Sequence, residues 1–130
     1  MPHSPGHQQH PGHKVSERFL DERVQVTVDA QTVADATRVL RVDEDGHPER
    51  YYFARDDVDM TRLEPSTTTT YCPFKGTATY FNLALRDRKI PDAAWTYDDP
   101  YAEHAALKGR VAFYDDNVPQ MRIIHPAQQQ

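Results

Sequence analysis

From Val24 the chain alternates, with Val24, Val26 and Val28 apolar and Gln25, Thr27 and Asp29 polar. A period of two is the mark of a strand with one buried face and one wet face. Asp29-Ala30-Gln31 is a turn candidate that lacks the usual glycine. Thr32–Val42 supplies a short strand and then a longer one, with Leu40 and Val42 on one side and Val39 on the other. Asp43–Arg50 reads as a polar loop around Gly46 and Pro48, followed by the compact aromatic strand Tyr51-Tyr52-Phe53. At Arg55-Asp56-Asp57-Val58 the pattern changes to helix entry. An aspartate can cap the first turn, Asp59 can pair with Arg62, and Glu64-Pro65 predicts the end of one or two helical turns.

The middle of the chain, Thr67–Phe81, reads as two strands joined by a tight turn. Four threonines and Tyr71 favour a pleated strand, and Thr77–Leu85 alternates well enough to be its partner. Between them Cys72, placed before Pro73, is pushed toward an extended conformation, across a peptide bond that can also be cis. Pro73 presets φ for a turn that Gly76 can close with positive φ. Arg86–Pro91 is a charged turn and Ala93–Tyr97 another strand. Asp98-Asp99-Pro100 opens a second short helix, whose apolar side is Ala102, Ala105, Ala106 and Leu107, with Gly109 as its stop. Val111–Tyr114 and Met121–Ile124 predict two last strands. Many short strands, two short helices and no βαβ rhythm predict a mainly β, single-domain barrel or sandwich.

Composition trims the ends and narrows the function classes. Residues 1–14 are Pro, Gly, His and Gln with almost nothing to bury, so they are expected to be a disordered tail ahead of one β-rich domain over 15–124. Residues 125–130 are expected to fray. A formal charge of −5 argues against nucleic acid as the main partner, because phosphate binding needs a basic face. One cysteine excludes an internal disulfide and any multi-cysteine zinc site. No apolar run approaches the roughly 20 residues of a membrane-spanning helix, and the first residues lack the apolar core of a signal peptide. The expected location is cytoplasmic, with no membrane partner.

Three constellations could carry chemistry. His3, His7, His10 and His13 have metal-like spacing, but the prolines and glycine among them break any helix that would align them, so only adventitious nickel or zinc binding is expected. Cys72 could be a nucleophile if His47, His104 or His125 came near, or if Lys75 lowered its pKa. The plain alternative is a buried thiol beside a solvent-facing lysine. The third set is an aromatic and cationic pocket of Tyr52, Arg55, Lys75, Trp95, Tyr97 and Lys108, suited to flat or anionic small molecules. Its alternative is that the rings are core and Arg55 pairs with a carboxylate. Neither a Gly-x-Gly-x-x-Gly turn nor a P-loop is present. Asp57 and Asp59 offer two carboxylates, but both sit where a helix cap and a surface pair would place them.

The segments YYFARDDV (51–58), STTTTYCPFKGTATYF (66–81), AAWTYDDP (93–100) and KGRVAFY (108–114) closely resemble the bacterial and fungal family called domain of unknown function 427, over about Val24 to Tyr114. Ala54 stands where members commonly have proline, and Ala30 where they commonly have glycine. The resemblance implies a compact β-rich domain that often forms homo-oligomers. Its motif positions here are Tyr52, Arg55, Cys72, Lys75, Gly76, Trp95, Tyr97 and Lys108-Gly109. Some classifications call the family nucleotidyltransferase-like, which would imply magnesium; the chain has no Gly-Ser step to support that chemistry. No other cofactor is evident. The reading favoured by the sequence is a small-molecule pocket around Cys72–Gly76, with Cys72 and Lys75 as the catalytic pair if it is an enzyme. A non-catalytic interaction module is the third class.

Overall fold

Alternating side chains turn strands into layers. The computed structural model describes residues 2–125. Within them lie β1 (Val15–Leu20), β2 (Val24–Val28), β3 (Gln31–Ala36), β4 (Val39–Glu44), β5 (Arg50–Phe53), β6 (Leu63–Cys72), β7 (Gly76–Ala84), β8 (Lys89–Thr96), β9 (Val111–Phe113) and β10 (Met121–Ile124). Seven form one sheet in the order β1-β4-β5-β9-β8-β7-β6, and three form a second in the order β10-β2-β3. The larger sheet does not close, since β1 and β6 are its edges. Of the two expected architectures, the sandwich is the one formed.

The core between the sheets is made by one parity of residues. Val24, Val26 and Val28 of β2 pack in the same cluster as Tyr51, Phe53, Leu83 and Phe113 of the larger sheet. Phe53 and Phe113 meet edge to face at 5.8 Å. A fully buried side chain of this kind contributes about 1.5–3 kcal/mol, so this layer dominates the stability. The other parity builds a second cluster on the opposite face, containing Leu40, Val42, Tyr52, Ala78, Trp95, Tyr97, Leu107 and Ala112. β5 shows the split: Tyr51 and Phe53 face the smaller sheet, and Tyr52 faces away from it.

Turn chemistry matches the expected positions. Val28 pairs with Gln31, so Asp29 and Ala30 form a two-residue turn, at φ 50° and 64°. Positive φ at both central residues is the type I′ hairpin condition, which glycine normally meets at the second position. Gly76 closes the β6–β7 hairpin at φ 120°, opposite Cys72. Among the described residues every peptide bond is trans, Cys72–Pro73 included.

Four local expectations differ from the structure. The turn after Phe53 is two separate 3-10 turns, Arg55–Asp57 and Met60–Arg62, with Asp59 capping the second through the Thr61 N–H at 3.2 Å. The chain enters β6 at Leu63, and Pro65 lies inside that strand instead of ending a helix. This is tolerated because β6 is an edge and its register shifts between Pro65 and Thr69. β1 escaped notice because its outer positions are Ser16, Arg18 and Phe19, which give no clean alternation, yet it pairs with β4 over six residues.

The fourth difference is the amino-terminal segment, expected to be disordered. It carries a five-residue helix, α1 (Pro5–Gln9), capped by the Ser4 side chain. Polar anchors hold it where apolar burial cannot. The Gly6 N–H and the Ser4 hydroxyl both donate to the Pro73 carbonyl at 2.8 Å, and the Ala102 N–H donates to the Pro2 carbonyl at 2.8 Å. Of the tail 125–130, all but His125 lies outside the described residues. Among the described residues no helix is long and apolar enough to cross a membrane.

Candidate functional site

On the face of the larger sheet turned away from the smaller one, the strands leave a cavity of about 360 Å³. β4 contributes Val42 and Glu44, β5 contributes Arg50 and Tyr52, β6 and its turn contribute Tyr71 through Lys75, and β7 and β8 contribute Tyr80 and Trp95. Tyr97, Tyr114, His47 and Pro48 complete it with His13 from the amino-terminal segment.

Trp95 is the centre of the apolar wall. Its indole N–H donates to the Tyr52 hydroxyl at 3.1 Å, and the two rings meet edge to face. Tyr114 packs against Trp95 at 4.8 Å between centroids, with Tyr80 at 6.3 Å. Burial pushes the Tyr52 and Tyr97 phenols far above the usual tyrosine range, so both stay protonated. Arg50 lies over Trp95 and Tyr114, its guanidinium carbon 5.1 and 5.2 Å from their centroids. Its outward side pairs with Asp116 at 2.8 Å and Asp115 at 3.6 Å.

The polar end is organised by Glu44, whose side chain is 8% exposed. One oxygen accepts from the Lys75 ammonium, itself nearly buried. The other meets His13 Nε2 at 2.9 Å, with His47 Nε2 at 3.7 Å. Burial alone would raise the Glu44 pKa. The hydrogen bonds from Lys75 and His13, with the charges on Lys75 and His47, outweigh it and hold the carboxyl below the usual range. Lys75 therefore points into the cavity, not to solvent as in the alternative reading, and its charge is already matched.

Around the cavity the fold gathers Tyr52, Cys72, Lys75, Trp95 and Tyr97. Two of the expected residues lie elsewhere. Arg55 sits beyond the end of β5, donating to the Gly109 carbonyl at 2.8 Å and pairing with Asp98 at 3.2 Å. That is the carboxylate pairing the sequence offered as its alternative role. Lys108 is exposed at the end of the 3-10 turn Ala102–Leu107, where its N–H bonds the Ala105 carbonyl. The residues missed are Glu44, Arg50, His13, Tyr80 and Tyr114. Strand parity could have supplied Arg50, which stands two before Tyr52.

The remaining candidates are placed as follows. Cys72 is half-buried on the cavity wall, and among the described residues its thiol has no hydrogen-bonded base. Of the three histidines weighed as its base, His47 lines the cavity, His104 bonds Glu17 and His7, and His125 packs by Tyr51. Asp59 is occupied by its cap and by Arg62 at 3.1 Å, and Asp57 flanks a separate shallow depression beside Val33 and Ala34. In the histidine-rich segment, His7 meets His104, His10 and His13 pack on Phe74, and His3 lies 3.7 Å from Glu103.

No curated protein matches the chain. A family model described as a domain of unknown function, DUF427, with the short name NTP_transf_9, matches residues 18–123. That stretch holds every strand of the larger sheet except the start of β1, and nearly all of the cavity wall. The chain belongs to the DUF427 family.

Proposed function

We propose that the cavity binds a small, flat aromatic molecule. The observation that carries this reading is the composition of the wall: Trp95, Tyr52, Tyr80, Tyr97 and Tyr114 surround a cavity of about 360 Å³ at the lower end of the range for small-molecule sites. Rings offer an aromatic guest stacking and edge contacts, each contributing about 0.5–1.5 kcal/mol beyond burial. The protonated phenol of Tyr97 supplies a polar handle.

The charges narrow the choice between aromatic and anionic guests. Lys75 is committed to Glu44, and Arg50 to Asp116. At Lys75 an anion would have to displace Glu44, leaving a nearly buried carboxylate without its cation, which costs several kcal/mol. A planar ring needs no such exchange. A purine or pyrimidine base qualifies, which is where this reading touches the family's short name. It includes no transfer chemistry.

The test is thermal shift against matched compounds: nucleobases, indoles and benzoates on one side, sugar phosphates and aliphatic carboxylates on the other. Binding raises the apparent melting temperature by mass action. Shifts confined to aromatic compounds, accompanied by a change in Trp95 fluorescence, are expected. Shifts produced by the non-aromatic anions alone would overturn the proposal in favour of an anion site.

A further inference from the structure

The amino-terminal segment contributes His13 to the cavity wall, and it is held by contacts of an unusual kind. His7 Nε2 meets His104 Nε2 at 2.7 Å, and His104 Nδ1 is bonded to the Glu17 carboxylate. His104 is 3% exposed. Since Glu17 accepts a proton from Nδ1, a neutral His104 presents a lone pair at Nε2, and His7 must supply the N–H between the rings. Only one proton fits in that gap. With both rings doubly protonated, two N–H groups face each other with no acceptor.

We propose that residues 2–14 are a strap forming one wall of the cavity, docked while the His7–His104 pair shares one proton and released when both rings are protonated. This rests on the reading of the cavity as a binding site only for its consequence, access to Trp95. Of the groups facing the strap, His7 sets the direction. Around His7 stand His104, Glu103, His13 and Glu44; burial first, then the charge of His104, pulls its pKa below the ordinary histidine value. Glu103 is held low by the Ser4 N–H, and Glu44 is held low by Lys75 and His13 despite its burial. A group whose pKa is depressed on docking favours the docked form above its free pKa and loses that contribution as pH falls. His7 therefore favours release as pH falls below the ordinary histidine range, whereas Glu103 and Glu44, held below the usual carboxylate range, stay charged there. The His13–Glu44 contact at 2.9 Å is the opposing element, because it ties the strap to a carboxylate that stays charged.

Gly6 provides a way to open the strap without touching the sheets. A Cβ at that position would lie 2.7 Å from the Pro73 oxygen and 2.8 Å from the Phe74 ring. The experiment is hydrogen–deuterium exchange of the full chain without ligand, at about pH 7.5 and about pH 5, corrected for intrinsic rates. Protection in residues 2–14 should fall by at least about tenfold in acid while β5, β8 and β9 stay protected. His7→Gln keeps a donor for His104 and cannot take up a proton, so it should keep its protection at about pH 5. Gly6→Ala should lack it at both values. Protection that is unchanged by acid in the wild type, or lost equally in His7→Gln, would overturn the proton clamp. Acrylamide quenching of Trp95, the chain's one tryptophan, reads the gate separately. It should rise in Gly6→Ala, and unchanged quenching in a variant whose strap has lost protection would overturn the role of the strap as a cavity wall.

Discussion

Ala30 is a residue whose backbone works against its side chain. It sits at φ 64° in the second place of the β2–β3 turn, exposed to solvent. For an L-residue with a Cβ, the left-handed region costs about 1–2 kcal/mol. Glycine escapes that cost but loses more freedom on folding, by about 0.5–1 kcal/mol. The balance predicts that Ala30→Gly stabilises by about 0.5–1 kcal/mol. Asp29, at φ 50°, stays as it is, and Asp-Gly is among the best pairs for this turn. Nothing else should change: Arg88 still reaches Asp29, at 2.5 Å, and the Val28–Gln31 pairing needs no side chain at position 30. The assay is urea denaturation of both proteins, with a higher midpoint expected at an unchanged m value, and a melting temperature up by about 2–4 °C. Ala30→Val is the control and should destabilise, because a β-branched residue fits this region worst. A glycine variant equal to or weaker than the wild type would refute the reasoning.

Three further outcomes follow from the cavity. Lys75→Met removes the main partner of a nearly buried carboxylate and should cost about 3 kcal/mol near neutral pH by chemical denaturation. Glu44 has a depressed pKa in the intact fold, so its contribution is present above the usual carboxylate range and lost as pH falls through the folded value. The gap between Lys75→Met and the wild type should therefore narrow in acid, and a gap constant with pH would count against the pair. Tyr52→Phe strands the Trp95 N–H and should cost about 1–3 kcal/mol with a shifted tryptophan emission, again read by denaturation. Arg55→Ala breaks a half-exposed pair away from the cavity, so it should change stability by no more than about 1 kcal/mol and leave the binding of an aromatic probe unaltered in titration.

What the sequence revealed depended on whether a residue's partners lay on its own strand or across space. Val24–Val28 declared its buried face by alternation, and Asp29-Ala30 its turn by position. Tyr52, Trp95 and Tyr97 were legible as a set because large rings on strands of one sheet tend to meet. Arg55 misled because it follows a strand immediately, yet by then the chain has left the sheet and parity no longer applies. Arg50 was passed over inside a polar loop, although it begins β5. Lys75 was legible as a pocket residue but its pairing was not, because Glu44 is 31 positions away and no local pattern announces it. The strap was hidden for a related reason. Its anchors are backbone carbonyls and imidazoles, so a scan for apolar residues sees nothing to fold.

The two-sided use of the larger sheet has a consequence for how such a protein can diverge. In β5, Tyr51 and Phe53 answer to the sandwich, while Arg50 and Tyr52 answer to the cavity. β8 and β9 interleave the two assignments in the same way, with Ala94 and Phe113 on one side and Trp95 and Ala112 on the other. The strand is thus two texts printed on alternate letters. One can be rewritten for a new guest while the other still spells the same scaffold.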